Sequence, residues 1–172
     1  TNVIDKFSFT IDGNASDAGD LTVSRAYAAG QSSETHGYAS GGYNGSHLNV
    51  IDKFSFTTDG NATDVGDLTV SRNLPAGQSS TTHGYTSGGN TGSYTDVIDK
   101  FSFTTDGNAT DVGDLTVNRR YAAGQSSTTH GYSSGGGAYS NVIDKFSFTT
   151  DGNATDVGDL TVARNGAAGT QY

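Results

Sequence analysis

One phrase is written four times in this chain. Val-Ile-Asp-Lys-Phe-Ser-Phe-Thr starts at Val3, Val50, Val97 and Val142, each time followed by Asp-Gly-Asn-Ala and then Gly-Asp-Leu-Thr-Val, at spacings of 47, 47 and 45 residues. A period of this size marks one supersecondary unit that buries its apolar face only against the next copy, as in propellers and solenoids. It also bears on function. A residue present in every copy is there to build the repeat, whereas a reaction needs one singular constellation. The pattern therefore predicts an architecture and argues against an enzyme.

In the second copy, Val50 to Thr57 reads as a strand, with Phe54 and Phe56 on one face and Lys53, Ser55 and Thr57 on the other. Both phenylalanines are expected in the core. Thr58 to Asn61 reads as a turn, since Gly60 and Asn61 tolerate positive φ and Asp59 can form an Asx-turn. A second short strand is expected at Asp67 to Ser71, with Leu68 and Val70 facing one way, and a third at Ser79 to Tyr85. Ser87-Gly88-Gly89 then breaks the pattern, at backbone positions that only glycine suits. No segment has helical periodicity. The expected fold is all-β: tandem antiparallel blades of three or four strands, about four repeats in a single domain over 1–172, bounded near 3–49, 50–96, 97–141 and an incomplete 142–172.

Composition narrows the chemistry. The chain has no Cys, so no disulfide framework, thiolate nucleophile or Cys-based metal site is available. Hydrophobic residues make up only 32%, too few for one large core, yet the in-register Phe-x-Phe pattern argues against disorder. Each copy carries four Asp against one Lys and one Arg, which accounts for nearly all of the net charge of −9. An evenly acidic surface excludes nucleic-acid and anionic-membrane binding, which need clustered cations. No stretch is apolar enough to span a bilayer, and no signal-peptide pattern is present.

The order Gly-Gly, loop, aromatic strand, turn, Leu-Thr-Val-Ser-Arg, loop, His-x-Tyr-x-x-Gly-Gly resembles the kelch repeat. The pairs are Gly41-Gly42, Gly88-Gly89 and Gly135-Gly136, and the arginines are Arg25, Arg72, Arg119 and Arg164. The resemblance implies four-stranded blades around a central channel. It departs from the family in lacking the usual Trp, which leaves blade packing to Phe and Tyr. A chromosome-condensation-regulator repeat is a weaker match. The near-identical copies also resemble kelch-like repeat proteins predicted as virion components of marine cyanophages. Only three His-Gly-Tyr segments (His36, His83, His130) accompany the four Val-Ile-Asp-Lys-Phe segments. The chain also begins at Thr1, not Met. A fragment of a longer repeat protein, or one subunit of an assembly, is the expectation.

Four sets of residues are candidates for function. The in-register histidines can be imagined as acid–base groups or metal ligands, but recurrence favours a structural role for them. Asp59, Asn61, Asp64 and Asp67 place oxygen donors in a Gly-containing loop and are calcium candidates, although the spacing is not that of an EF-hand and no bidentate Glu follows. No other cofactor is expected. Asn14, Asn61, Asn108 and Asn153 begin Asn-x-Ser/Thr sequons and are candidate glycosylation sites, as is Asn44. Finally, the loops that differ between copies carry Tyr43, Tyr94 and Tyr139 after the Gly-Gly pairs, and Tyr27 and Tyr121 after the arginines. Variable loops on a uniform scaffold suit recognition, and an exposed Tyr can stack on a sugar.

The expected function is a non-enzymatic structural or adhesive repeat of an extracellular or virion-surface assembly, of the phage tail or fibre type. Its partners would be other subunits, as a homo-oligomer or within a longer repeat chain, and a glycan. A carbohydrate-binding propeller module using the Tyr/Asn loops is the alternative, and the scaffold portion of a larger propeller enzyme is the third reading.

Overall fold

The computed structural model describes residues 1–169; the tail of the fourth copy, residues 170–172, lies outside the described residues. Among the described residues the chain is all-β and contains no helix. A two-stranded unit comes first, β1 (Val3–Lys6) and β2 (Ser16–Asp20). Three four-stranded antiparallel blades follow. The first is β3 (Ala29–Ser32), β4 (His36–Ser40), β5 (Val50–Ser55) and β6 (Thr63–Asp67). The second is β7 (Ala76–Ser79), β8 (His83–Asn90), β9 (Tyr94–Ser102) and β10 (Thr110–Asp114). The third is β11 (Ala123–Ser126), β12 (His130–Ser134), β13 (Val142–Ser147) and β14 (Thr155–Asp159). Every blade is a meander in chain order. Each blade straddles two copies of the sequence period: β3 and β4 belong to the first copy, β5 and β6 to the second.

The strand assignments read from sequence need three corrections. Asp67 to Ser71 is not a strand; its place is taken by β6, Thr63–Asp67, which pairs with β5 through a bulge between Ile51 and Asp52. The stretch Leu68–Ser71 instead crosses to the next blade, where Thr69 donates to Asp99 rather than to a ladder. Ser79 to Tyr85 is likewise not one strand: Ser79 ends β7, His83 to Tyr85 open β8, and residues 80–82 between them form a turn closed by Ser80 N–H donating to the His83 carbonyl at 2.9 Å. Ser, Thr and Gly in this segment serve turn and strand equally well, so composition alone could not place the break.

The third correction concerns Phe54 and Phe56. They do share a face, with ring centroids 6.1 Å apart, but Phe54 is only half-buried and Phe56 is 48% exposed. The counterparts of Phe54, Phe101 and Phe146, are 3% exposed, and those of Phe56, Phe103 and Phe148, are half-buried. The difference is the neighbour. Tyr38 of the first blade lies against Phe101 and stacks on Phe103 at 4.7 Å, and Tyr85 treats Phe146 and Phe148 the same way. The unit preceding the first blade has only β1 and β2 and offers Phe54 no such tyrosine.

Two apolar clusters result, both built between blades. One joins Tyr38, Ile51 and Leu68 to Phe101 and Ala109; the other joins Tyr85, Ile98 and Leu115 to Phe146 and Ala154. Two glycines make the packing fit. A Cβ on Gly84 would meet the Phe101 ring at 2.3 Å, so the glycine of His-Gly-Tyr opens the slot the ring fills. Gly88 has φ of +64°, and a Cβ there would lie 2.6 Å from the Arg119 carbonyl. The first strands of successive blades stand side by side, close enough that a Cβ on Gly77 would meet the Gly30 carbonyl at 2.2 Å. They form the inner edge of the array.

Candidate functional site

An Asp in the middle of the apolar strand Val-Ile-Asp-Lys-Phe is an expensive choice unless its charge is matched. Three of the four, Asp52, Asp99 and Asp144, are buried and matched from the unit before. Asp99 on β9 is fully buried, and Arg72, in the linker between β6 and β7, donates to its Oδ2 as an ion pair. Thr69 of the same linker donates twice, from its backbone N–H to Oδ2 at 2.9 Å and from Oγ1 to Oδ1 at 2.6 Å. Arg25 and Thr22 engage Asp52 in the same way, and Arg119 and Thr116 engage Asp144, the last ion pair at 2.7 Å.

The guanidinium is caged further by main-chain carbonyls, Arg72 donating to Val97 at 3.1 Å and to Thr86 at 3.4 Å. Burial pulls the Arg72 pKa down and the Asp99 charge opposes that fall. Arg retains its proton at any accessible pH. Meanwhile the Arg72 carbonyl accepts from Gly42 N–H of the preceding blade at 2.9 Å. One residue thus holds two blades together. This clamp was missed in the sequence reading. Its signal was there: an Asp inside an apolar strand and an Arg at fixed offset, both present in each copy.

Three of the calcium candidates spend side-chain oxygens on local or inter-unit contacts. Asp59 pairs with Lys6, Asn61 Oδ1 accepts from Asp20 N–H at 3.1 Å, and Asp64 Oδ1 accepts from Gly66 N–H at 3.1 Å. Asp67 donates its N–H to Asn108 at 3.0 Å. Their carboxylates do not converge, and among the described residues no group of three or more His, Cys, Asp or Glu side chains is arranged to hold a metal. Three sequon asparagines share this role: Asn61, Asn108 and Asn153 each cap an aspartate N–H of the preceding unit. Asn14 is exposed, and among the described residues no aspartate N–H reaches it. Asn44 Oδ1 accepts from Ser46 N–H within its own loop.

The histidines are also structural in geometry. Each Nδ1 lies 2.8 Å from the hydroxyl of the preceding threonine, and each backbone N–H donates to a turn serine, as His83 does to Ser80 at 3.0 Å. Burial, with Lys100 nearby, lowers the His83 pKa and favours the neutral ring.

Strand direction puts all five candidate tyrosines at one end of the blades, since the β4–β5 and β6–β7 connections and their equivalents emerge on that side. Tyr27 and Tyr121 line a shallow cavity of about 180 Å³ with Leu74 and Gly166. These four equivalent residues all have left-handed backbone, and each of the last three donates its N–H to the carbonyl of the one before: Leu74 to Tyr27, Tyr121 to Leu74, and Gly166 to Tyr121, at 2.9–3.1 Å. Arg120 lies over the Tyr94 ring at 4.8 Å and the Tyr121 ring at 5.3 Å, joining those two loops. Tyr43 packs edge-on against His47. Tyr139 stands apart, 69% exposed.

The opposite end is different. The turns β3–β4, β7–β8 and β11–β12 surround a cavity of about 310 Å³, lined by hydroxyls that include Ser33, Ser80 and Ser127, with Glu34 as its one carboxylate. Inner-strand hydroxyls close by are already used between blades: Ser79 Oγ accepts from Ser32 N–H at 3.0 Å and Ser126 Oγ from Ser79 N–H at 2.9 Å. No protein-family model matches this chain, and no curated protein is significantly similar to it.

Proposed function

We propose that this chain is a non-enzymatic structural and adhesive repeat protein of an extracellular or virion-surface assembly, of the tail or fibre type, and that its partners are other subunits. The observation that carries the reading is where the repeated polar residues go. Asp99 uses both carboxylate oxygens on Thr69 and Arg72, Asn108 caps Asp67, and His83 closes its own turn. A nucleophile or general base needs a free, aimed polar atom; these are committed to holding blades or turns together. Antibodies to the purified chain, applied to intact cells and particles of the native source, are expected to label the outer surface. Labelling only after permeabilisation overturns the surface placement.

A second reading has its own support. Tyr27 and Tyr121 flank one cavity, and the Arg120 guanidinium fixes Tyr94 beside Tyr121, giving partly exposed aromatic faces with adjacent polar groups at a single end. Such a surface suits the face of a sugar ring. Glycan-array binding that is lost in both Tyr121→Ala and Tyr94→Ala, with melting unchanged, would favour a carbohydrate-binding module.

A further inference from the structure

The two junctions between successive four-stranded blades use the same four contacts, the junction of β1 and β2 with the first blade uses the three polar ones, and each contact has a donating side and a receiving side. Between the first and second blades, Lys53 reaches Asp106 at 2.9 Å and Asp67 N–H reaches Asn108 at 3.0 Å. Thr69 and Arg72 clamp Asp99, and Tyr38 covers Phe101 and Phe103. The next junction repeats the scheme: Lys100 with Asp151, Asp114 with Asn153, Thr116 and Arg119 with Asp144, and Tyr85 with Phe146 and Phe148.

The outer faces of the array each carry one half of this junction. The face of β1 and β2 has the receiving half: Asp5, Asp12, Asn14 and the pair Phe7 and Phe9, which are 62% and 94% exposed. The far face has the donating half: Lys145, the Asp159 N–H, Thr161, Arg164 and Tyr132. Among the described residues no hydrogen bond or ion pair links the two faces, and Asp5 and Arg164 are both exposed.

We infer that a second copy of this chain docks head-to-tail on the first, with Thr161 and Arg164 of one copy clamping Asp5 of the other and Tyr132 covering Phe7 and Phe9. The inference rests on the reading of the chain as an assembly component and names the partner. Complementarity carries it: the two faces are halves of a contact this molecule already makes, with identical residue types at each receiving and donating position. The contact is heterologous, so it closes into a ring when the rotation permits. Four units leave the two faces apart in this chain. Two copies joined at both junctions leave neither face open, so a closed dimer is the expected species.

The test uses the 172-residue chain without ligand. Sedimentation from low micromolar to high micromolar concentration is expected to show a dimer. D5R and R164D each place like charges at the junction and are expected to weaken association by at least about 100-fold, the loss typical of an unmatched buried charge. Melting at high dilution checks that both variants fold, since the two side chains are exposed in a single copy. An equimolar mixture of D5R and R164D has one native junction and one with the charges reversed. It is expected to regain association to within roughly tenfold of the original chain, short of full recovery because the reversed junction loses the Thr161 bond to a carboxylate. A monomer throughout overturns the inference, as does association that survives both substitutions. A monomer whose melting temperature falls in D5R or R164D would assign the two faces to each other within one chain, and also overturns it. Glycan binding or turnover by an intact dimer would instead sink the proposed function while leaving the head-to-tail contact standing.

Discussion

The junction between the first and second blades and the outer face of β1 and β2 are built from nearly the same residues, yet they are physically opposite. Asp99 is fully buried and held by three hydrogen bonds from Thr69 and Arg72; Asp5, its equivalent, is exposed. Phe101 is 3% exposed and its equivalent Phe7 62%. At the far end the contrast repeats: Arg72 is wholly enclosed and Arg164 open to solvent, and β14 is exposed along its whole length where β6 and β10 are half-buried over their last three residues. The lesson is that in this chain stability belongs to junctions and not to blades. A blade alone buries little; its Phe pair, its Asp and its Arg all find partners in the neighbour. That is the nearest-neighbour energetics of a repeat protein.

The largest effect should come from breaking an interior clamp. Asp99→Ala leaves the Arg72 guanidinium buried without its counter-ion and is expected to cost about 3–5 kcal/mol in urea unfolding. Asp5→Ala, measured at a dilution where the chain is monomeric, should stay within about 0.5 kcal/mol. Equal losses at the two positions would break the comparison.

Phe101→Ala should also cost about 3–5 kcal/mol, because a ring packed under Tyr38 leaves a cavity. Phe7→Ala, at the equivalent position of the outer face, should cost far less under the same conditions. A loss at Phe7 as large as that at Phe101 would mean that the outer face is covered within a single chain.

Gly88→Val probes how the linker seats. It forces a β-branched residue into left-handed backbone, about 1–2 kcal/mol on its own, and drives a Cβ against the Arg119 carbonyl. The expected result is a lower melting temperature; an unchanged one would remove the strain argument.

A smaller effect is alkaline. Tyr85 donates its hydroxyl to the Phe148 carbonyl at 3.4 Å, and burial pushes its pKa from 10.0 up to about 12. A folded pKa above the unfolded value means that this stabilisation is complete below about pH 10 and is lost as pH rises through about 12. Urea midpoints should therefore fall between pH 10 and 12, less steeply in Tyr85→Phe. An identical slope in the two proteins would rule out Tyr85 as the titrating group.

The smallest effect is expected at the rim of the junction. Lys53 and Asp106 pair at 2.9 Å but their side chains are 22% and 57% exposed, so Lys53→Ala should cost no more than about 0.2–1 kcal/mol and less in high salt. A loss rivalling that of Asp99→Ala would show that rim charges and buried clamps are not distinct.

Much of this molecule was legible in its residues. The fourfold phrase and the alternation of Val-Ile-Asp-Lys-Phe-Ser required repeated antiparallel β units, since period-2 patterning has few other solutions. The Gly-Gly pairs marked positive-φ corners, as Gly88 and Gly89 confirm. The five loop tyrosines could be named, though their common end needed the strand directions. What local pattern could not supply was any contact reaching from one period into the next. Leu68 to Ser71 alternates like a strand, but its Thr69 N–H goes to a carboxylate 30 residues on, so the ladder strand is Thr63–Asp67 instead. The calcium candidates read as a cation loop because their oxygens are close in sequence; in space those oxygens are divided among Lys6, Asp20 and Gly66.

The division has a simple physical origin. Backbone preference and side-chain alternation act within a few residues, so the chain's own order was enough to make strands, turns and a repeating unit. Burial acts between units. Phe54 and Phe101 sit in the same local sequence on the same kind of strand, and only the presence or absence of a tyrosine from the unit before makes one half-buried and the other core.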